Sequence, residues 1–263
     1  MPALIVYSRY TPSTRALLRA ASALGWKTAR AQSTPPPEFA LETDLAIFGT
    51  PPGVYELAQE AKRRLLSCPA GWEAALPEVY RRRWIRSSAF SELELPGDQP
   101  FFLKPALSKS FEPAVYTRSE LAALEVPAEA QVLLAEPVHF ECELRFFVAG
   151  RQTCASAFTR VHHEELTRRS AVPASAHREA SEFVERLLAD SVVDRPPGFV
   201  LDVGLIEGRG WAVVEANEAW AAGLYGCDPV DVLPVLLASC VPLDSPKRAW
   251  DQARAFLEAR GEA

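Results

Sequence analysis

The chain has 263 residues, enough for one large domain or two modest ones with a real core. Its 48% hydrophobic and 24% charged residues are ordinary for a soluble globular protein, and a net charge of −6 argues against general nucleic-acid or membrane-surface binding. No apolar run approaches the ~20 residues of a membrane helix, and the start, MPALIVYSRYTPSTR, does not look like a signal peptide. Five scattered cysteines without a CxxC pair point to a reducing, cytoplasmic setting and away from disulfides or structural zinc.

Ala3 to Tyr7 reads as a first strand. Thr14 to Leu24 follows, with Leu17, Leu18, Ala21 and Leu24 at helical spacing and Gly25 as a stop. Leu45 to Phe48 reads as a buried strand and Tyr55 to Leu66 as a helix. Strand, helix, strand, helix implies a small parallel α/β unit. No GxGxxG follows the first strand, so a dinucleotide site of that type has no support. Tyr80 to Arg86 is the strongest basic cluster. It reads as a solvated face or connector, or as a source of one or two arginines (Arg81, Arg83, Arg86) for an anion.

Phe101 to Leu103 is an apolar strand ending in Lys104-Pro105, an odd place for a lysine unless its ammonium meets an anion or snorkels to water. The loop beyond carries Ser108, Lys109 and Ser110 and no glycine. Val115-Tyr116 is extended and Arg118 to Leu124 a short helix; Val132 to Ala135 is a strand running into Glu136, Pro137 and Val138. In Phe140 to Val148 the strand period of two puts Glu141, Glu143 and Arg145 on one face, and Thr153 to Phe158 returns as the hairpin partner. Adjacent His162 and His163 cannot point the same way on a regular element and read as surface residues. His177 to Leu188, Val230 to Ala238 and Lys247 to Ala259 read as helices.

The chain is organised around FVLDVGLIEGRGWAVVEANEAW, residues 199–220, two apolar strands joined at Glu207-Gly208-Arg209-Gly210. Apolar strands rarely carry acids unless something compensates their burial. Asp202, Glu215 and Asn217 offer hard oxygen ligands of the kind Mg²⁺ takes, or else they face water.

The order of FFLKP (101–105), LLAEPVHFECELRFFV (133–148), LDVG (201–204) and VVEANEAWAAGLY (213–225) resembles the ATP-grasp family of ATP-dependent ligases, over roughly the C-terminal two-thirds of the chain. The resemblance implies an α/β (α+β) fold: an N-terminal small parallel α/β domain over 1–86, then a two-lobed ATP-grasp domain with antiparallel sheets over 87–263. It implies ATP and Mg²⁺ as cofactors. Lys104 would contact the α- and β-phosphates, Glu136 and the backbone around Val138 would read the adenine, and Glu143 would hold the ribose. Asp202, Glu215 and Asn217 would hold the metal, and Arg145 would stabilise the transferring phosphoryl group. The implied reaction joins a carboxylate to an amine through an acyl phosphate with release of ADP. Its partners would be small-molecule or peptide substrates, with neither nucleic acid nor membrane; a homodimer stays open.

Three features depart from the family pattern. The loop after Lys104-Pro105 lacks glycines. Val200 stands where some ligases keep an arginine, for which Arg145 and Arg160 are the candidate substitutes. An upstream phosphate lysine is missing, for which an arginine of the 81–86 cluster is the candidate. The compact, arginine-using pattern resembles a divergent bacterial and phage clade of the family. Kinase-like phosphotransfer without ligation, and a non-catalytic nucleotide-binding module, are the alternatives.

Overall fold

A computed structural model describes residues 1–7, 11–39, 42–106, 110–161, 164–165 and 174–245. Strand β1 (Ala3–Tyr7), helix α1 (Pro12–Ala23), β2 (Lys27–Ala31), β3 (Leu45–Phe48), α2 (Gly53–Glu60) and β4 (Arg63–Leu65) form the first unit. Its first three strands run parallel in the order β2-β1-β3. Helix α1 starts where the sequence dictates: Thr11 caps it in a reciprocal box with Thr14, Pro12 supplies a preset φ, and Gly25 turns out of it at φ +76°.

The helix expected over Tyr55 to Leu66 is shorter than its apolar pattern suggests. It stops at Glu60, Lys62 takes a left-handed φ of 54°, and residues 63–65 become β4. The returning chain at Cys240–Pro242 pairs with β4, so strand pairing outcompetes helical propensity.

Two short helices, α3 (Trp72–Ala75) and α4 (Glu78–Arg81), lead into the second unit. It comprises β5 (Ile85–Ala89), β6 (Phe101–Pro105), β7 (Ala114–Tyr116), α5 (Arg118–Leu121) and β8 (Gln131–Ala135), with its four strands antiparallel in the order β5-β8-β6-β7. The third unit holds β9 (Phe140–Ala149), β10 (Gln152–Val161), β11 (Glu164–Glu165), α6 (Ala174–Ala189), β12 (Gly198–Ile206), β13 (Gly210–Asn217) and α7 (Pro229–Ser239), which runs into β14 (Cys240–Pro242). Its sheet has five antiparallel strands in the order β11-β10-β9-β12-β13. The expected hairpin over residues 199–220 is β12 and β13.

One face of the five-stranded sheet is apolar. Leu144, Phe146, Leu201, Val203 and Val213 pack on Ala180, Phe183, Val184 and Leu187 of α6 and on Trp72 of α3. Burying each large side chain stabilises the fold by roughly 1.5–3 kcal/mol. The opposite face changes character along its length. At one end Phe147 and Val200 sit under Val232 and Leu236 of α7, in a core shared with Leu4 and Val6 of β1 and Leu17 of α1. Gly198 allows this seat, because a Cβ there would lie 2.5 Å from the Ser239 backbone nitrogen. At the other end the face is polar.

Candidate active site

The polar end is built by register. Arg145 on β9 lies directly opposite Asp202 on β12, and Asp202 directly opposite Glu215 on β13. Directly opposed residues share a face, and Asn217, two residues beyond Glu215, shares it too. Four polar side chains from three adjacent strands therefore form one row.

Arg145 grips Asp202 with two hydrogen bonds, Nε to Oδ1 at 2.8 Å and Nη2 to Oδ2 at 2.6 Å. Its Nη1 donates to the Gly223 carbonyl at 3.2 Å, and its guanidinium lies 4.7 Å from the centre of the Tyr225 ring. Asp202 is only 4% exposed. Burial pushes its carboxyl above the ordinary value even though Arg145 pulls the other way. Burial alone would lower the guanidinium pKa of Arg145, but the Asp202 carboxylate outweighs it and the net direction is up. Asn217 bridges the two acids, its Nδ2 donating to Asp202 Oδ2 at 2.9 Å and to Glu215 Oε1 at 3.0 Å.

Lys104 enters from the other sheet. It sits at the end of β6, and its Nζ donates to Glu215 Oε2 at 3.1 Å and to Glu73 Oε1 of α3 at 3.2 Å. Burial alone would lower the ammonium pKa, but the two carboxylates outweigh it and the net direction is up. Glu215 moves the opposite way: burial raises it, while Lys104 and Asn217 hold it below the usual carboxylate range.

The row offers two carboxylates and an amide oxygen, a hard-donor set suited to Mg²⁺. Within these contacts three carboxylates, Glu73, Asp202 and Glu215, meet two cations, Lys104 and Arg145, so the cluster keeps excess negative charge. Both observations fit a bound divalent cation. Among the described residues no three His, Cys, Asp or Glu side chains form a metal-ready group; here the third donor is an amide.

The remaining expected site residues lie around this row. Glu143 is two residues before Arg145 on the same face, opposite Gly204, whose missing Cβ leaves room for the Phe140 ring. Glu136 and Val138 occupy the link between β8 and β9, where the chain passes from one sheet to the other. Glu136 is engaged there by Arg209 of the β12–β13 turn at 2.6 Å, which holds its carboxyl low.

The basic cluster resolves into distinct roles. Arg83 donates to the Val213 carbonyl at 2.8 Å and the Val214 carbonyl at 3.4 Å, serving the bulge beside Asp202, and lies 5.3 Å from the Phe140 ring centre. Burial brings its pKa down to about 10. Arg81 donates to the Ile85 carbonyl, and Arg86 lies over Trp84. Ser108, Lys109, His162, His163, the Arg160 side chain and the expected helix over Lys247 to Ala259 lie outside the described residues.

Sequence reading misses Glu73, Arg209 and Tyr225. Glu73 sits in a four-residue helix too short for periodicity to mark it, and only its neighbour Trp72 hints at burial. Tyr225 is half exposed with a left-handed φ of 47°, in a segment that reads only as turn-rich.

Comparison with known proteins gives this geometry a family. The sequence profile of an ATP-grasp domain, clade family 2, matches residues 80–235. No curated protein matches the chain in sequence. Among solved structures, a RimK-domain ATP-grasp protein from Sphaerobacter thermophilus is 16% identical, covering 90% of this chain and 98% of its own, with a TM-score of 0.54. An L-amino acid ligase from Bacillus licheniformis is 11% identical over 96% of this chain and 77% of its own, with a TM-score of 0.57. D-alanine–D-alanine ligase from Bacillus anthracis is 8% identical over 91% of this chain and 97% of its own, with a TM-score of 0.54. At such identities the likeness establishes the fold. Two antiparallel sheets behind a parallel α/β unit, together with a family match over more than half of the sequence, lead to one assignment: the chain belongs to the ATP-grasp family.

Proposed function

We propose that the protein is an ATP- and Mg²⁺-dependent carboxylate–amine ligase that forms an amide through an acyl phosphate and releases ADP. The observation that carries this reading is the row Arg145–Asp202–Glu215–Asn217 with Lys104 reaching it from the facing sheet. ATP-grasp proteins are mostly ligases, which supports the reaction class. Phosphoryl transfer depends on positioning and charge neutralisation, and this row is suited to both.

In this reading Asp202, Glu215 and Asn217 hold Mg²⁺, which when bound offsets the charge of the β- and γ-phosphates. Lys104 turns its ammonium to the α- and β-phosphates. Glu136 and the backbone at Val138 meet the adenine, and Glu143 meets the ribose hydroxyls. The γ-phosphoryl group passes to a carboxylate oxygen and ADP leaves. Arg145 neutralises charge on the group in transfer. The amine nitrogen then attacks the acyl carbon, the bond to phosphate breaks, and the amine gives up a proton.

We further place the domain division near residue 86, with 1–86 preceding an ATP-grasp domain over 87–263. The change from a parallel to an antiparallel sheet at β5 supports it, while the β4–β14 pair ties the end of the described chain back to the first unit. Five free cysteines support a reducing cytoplasmic setting. Among the described residues no helix is long and apolar enough to cross a membrane. The substrates would be a small-molecule or peptide carboxylate and an amine.

The test is ADP release from Mg·ATP with panels of amino acids and short peptides, with hydroxylamine added as a generic amine. We expect carboxylate-dependent ADP release and a hydroxamate product. ADP release with a stable phosphorylated product and no amine requirement would replace the ligase by a kinase.

A further inference from the structure

Lys104 has two acidic partners, and only one belongs to the metal row. The other, Glu73, lies before the family-matched region, on α3. It is 7% exposed. A carboxylate this buried is costly unless it is paired, and its pairing with Lys104 is the ion pair the structure gives it.

The platform under Glu73 is rigid. Its neighbour Trp72 is anchored by a hydrogen bond from Nε1 to the Asp194 carbonyl at 2.7 Å and by an edge-on contact with Phe199 at 6.1 Å. Gly71 opens the helix at φ +78°, and a Cβ there would come within 2.6 Å of Ser87 Oγ, so α3 is pressed against β5. Lysine is a flexible four-carbon stem with a point charge at its end. Lys104 therefore takes its position from its partners.

We infer that Glu73 is the positioning residue for Lys104, holding its ammonium beside the phosphate site while Glu215 turns to the cation. The inference rests on the nucleotide site proposed above. Glu215 cannot serve Lys104 and a divalent cation equally. With Glu73 present, Lys104 keeps an anchor when the cation takes Glu215. Without Glu73, the ammonium has only Glu215 and competes with the cation for it.

The experiment measures Mg·ATP affinity by calorimetry, at several Mg²⁺ concentrations, in wild type, Glu73→Gln, Glu73→Asp, Lys104→Met and the Glu73→Gln/Lys104→Met double variant. Losing a partner that orients a ligating group typically costs roughly 10–100-fold in affinity. We expect Glu73→Gln to bind about tenfold more weakly and to need more Mg²⁺. Glu73→Asp should recover most of the affinity. In the Lys104→Met background the Glu73→Gln change should have little further effect. Glu73→Gln binding as tightly as wild type, or more tightly, would overturn the inference, as would an equal loss with and without Lys104. If wild type binds no Mg·ATP, the nucleotide reading itself fails, and this inference fails with it. If wild type binds and Glu73→Gln is unaffected, the role of Glu73 alone is wrong.

Discussion

Replacing Arg145 by methionine lowers the free energy of unfolding by about 3–5 kcal/mol, the cost of stranding a buried charge. Asp202 is the charge in question. It is 4% exposed, and two of the hydrogen bonds that compensate its burial come from Arg145. Methionine keeps much of the volume and removes both, leaving the Asn217 amide on the carboxylate. The loss depends on pH. Burial already raises the Asp202 pKa, and without Arg145 it rises further. An acid whose folded pKa lies above its unfolded value costs stability at higher pH, and that cost is relieved as pH falls through the folded pKa. The deficit is therefore largest near neutrality and shrinks on acidification. Urea denaturation at neutral and acid pH measures it. A second variant, Arg145→Met with Asp202→Leu, should recover stability without recovering nucleotide binding.

Glu215→Gln gives the opposite balance: nucleotide turnover falls at least ~100-fold, in line with losing a group that neutralises transition-state charge, while the fold survives. The Glu215 side chain is 37% exposed and sits at the rim of the row, so its removal strands no fully buried charge. Lys104 keeps Glu73 as a partner. The pH signature also reverses. A carboxyl with a lowered folded pKa contributes stability above its unfolded value, and this is lost as pH falls through the folded pKa. The glutamine variant should therefore show a shallower acid limb in its stability profile. Steady-state ADP release together with thermal melts checks both halves. Full turnover in the variant would remove Glu215 from the metal site.

Much of this site is legible in the sequence because strand patterns are local. Asp202 in FVLDVG and Glu215 and Asn217 in VVEAN stand out as polar positions in apolar strands, and Glu143 and Arg145 share a face by period alone. Long-range register is not local. Nothing in the sequence says that Arg145 faces Asp202, 57 residues away, or that a bulge lies beside Asp202 with Arg83 serving its carbonyls. Glu73 is hidden for a related reason: a single helical turn has no period, and its partner Lys104 is 31 residues on. In the first unit, β2 (KTARA) carries no apolar run to mark it as a strand. The strand over 63–65 reads as helix because its two arginines continue an apparent helical face and are buried only by the returning chain.

Every role proposed for these residues depends on Mg·ATP binding at the row formed by β9, β12 and β13. A thermal-shift titration with ATP, ADP and GTP, each with and without Mg²⁺, tests this most directly. Ligand at a hundredfold excess over its Kd stabilises the native state by about 2.7 kcal/mol. The expected result is a Mg²⁺-dependent upward shift with the adenine nucleotides that is lost in Glu215→Gln. No shift with millimolar ATP and Mg²⁺, or an equal shift without the metal, would contradict it.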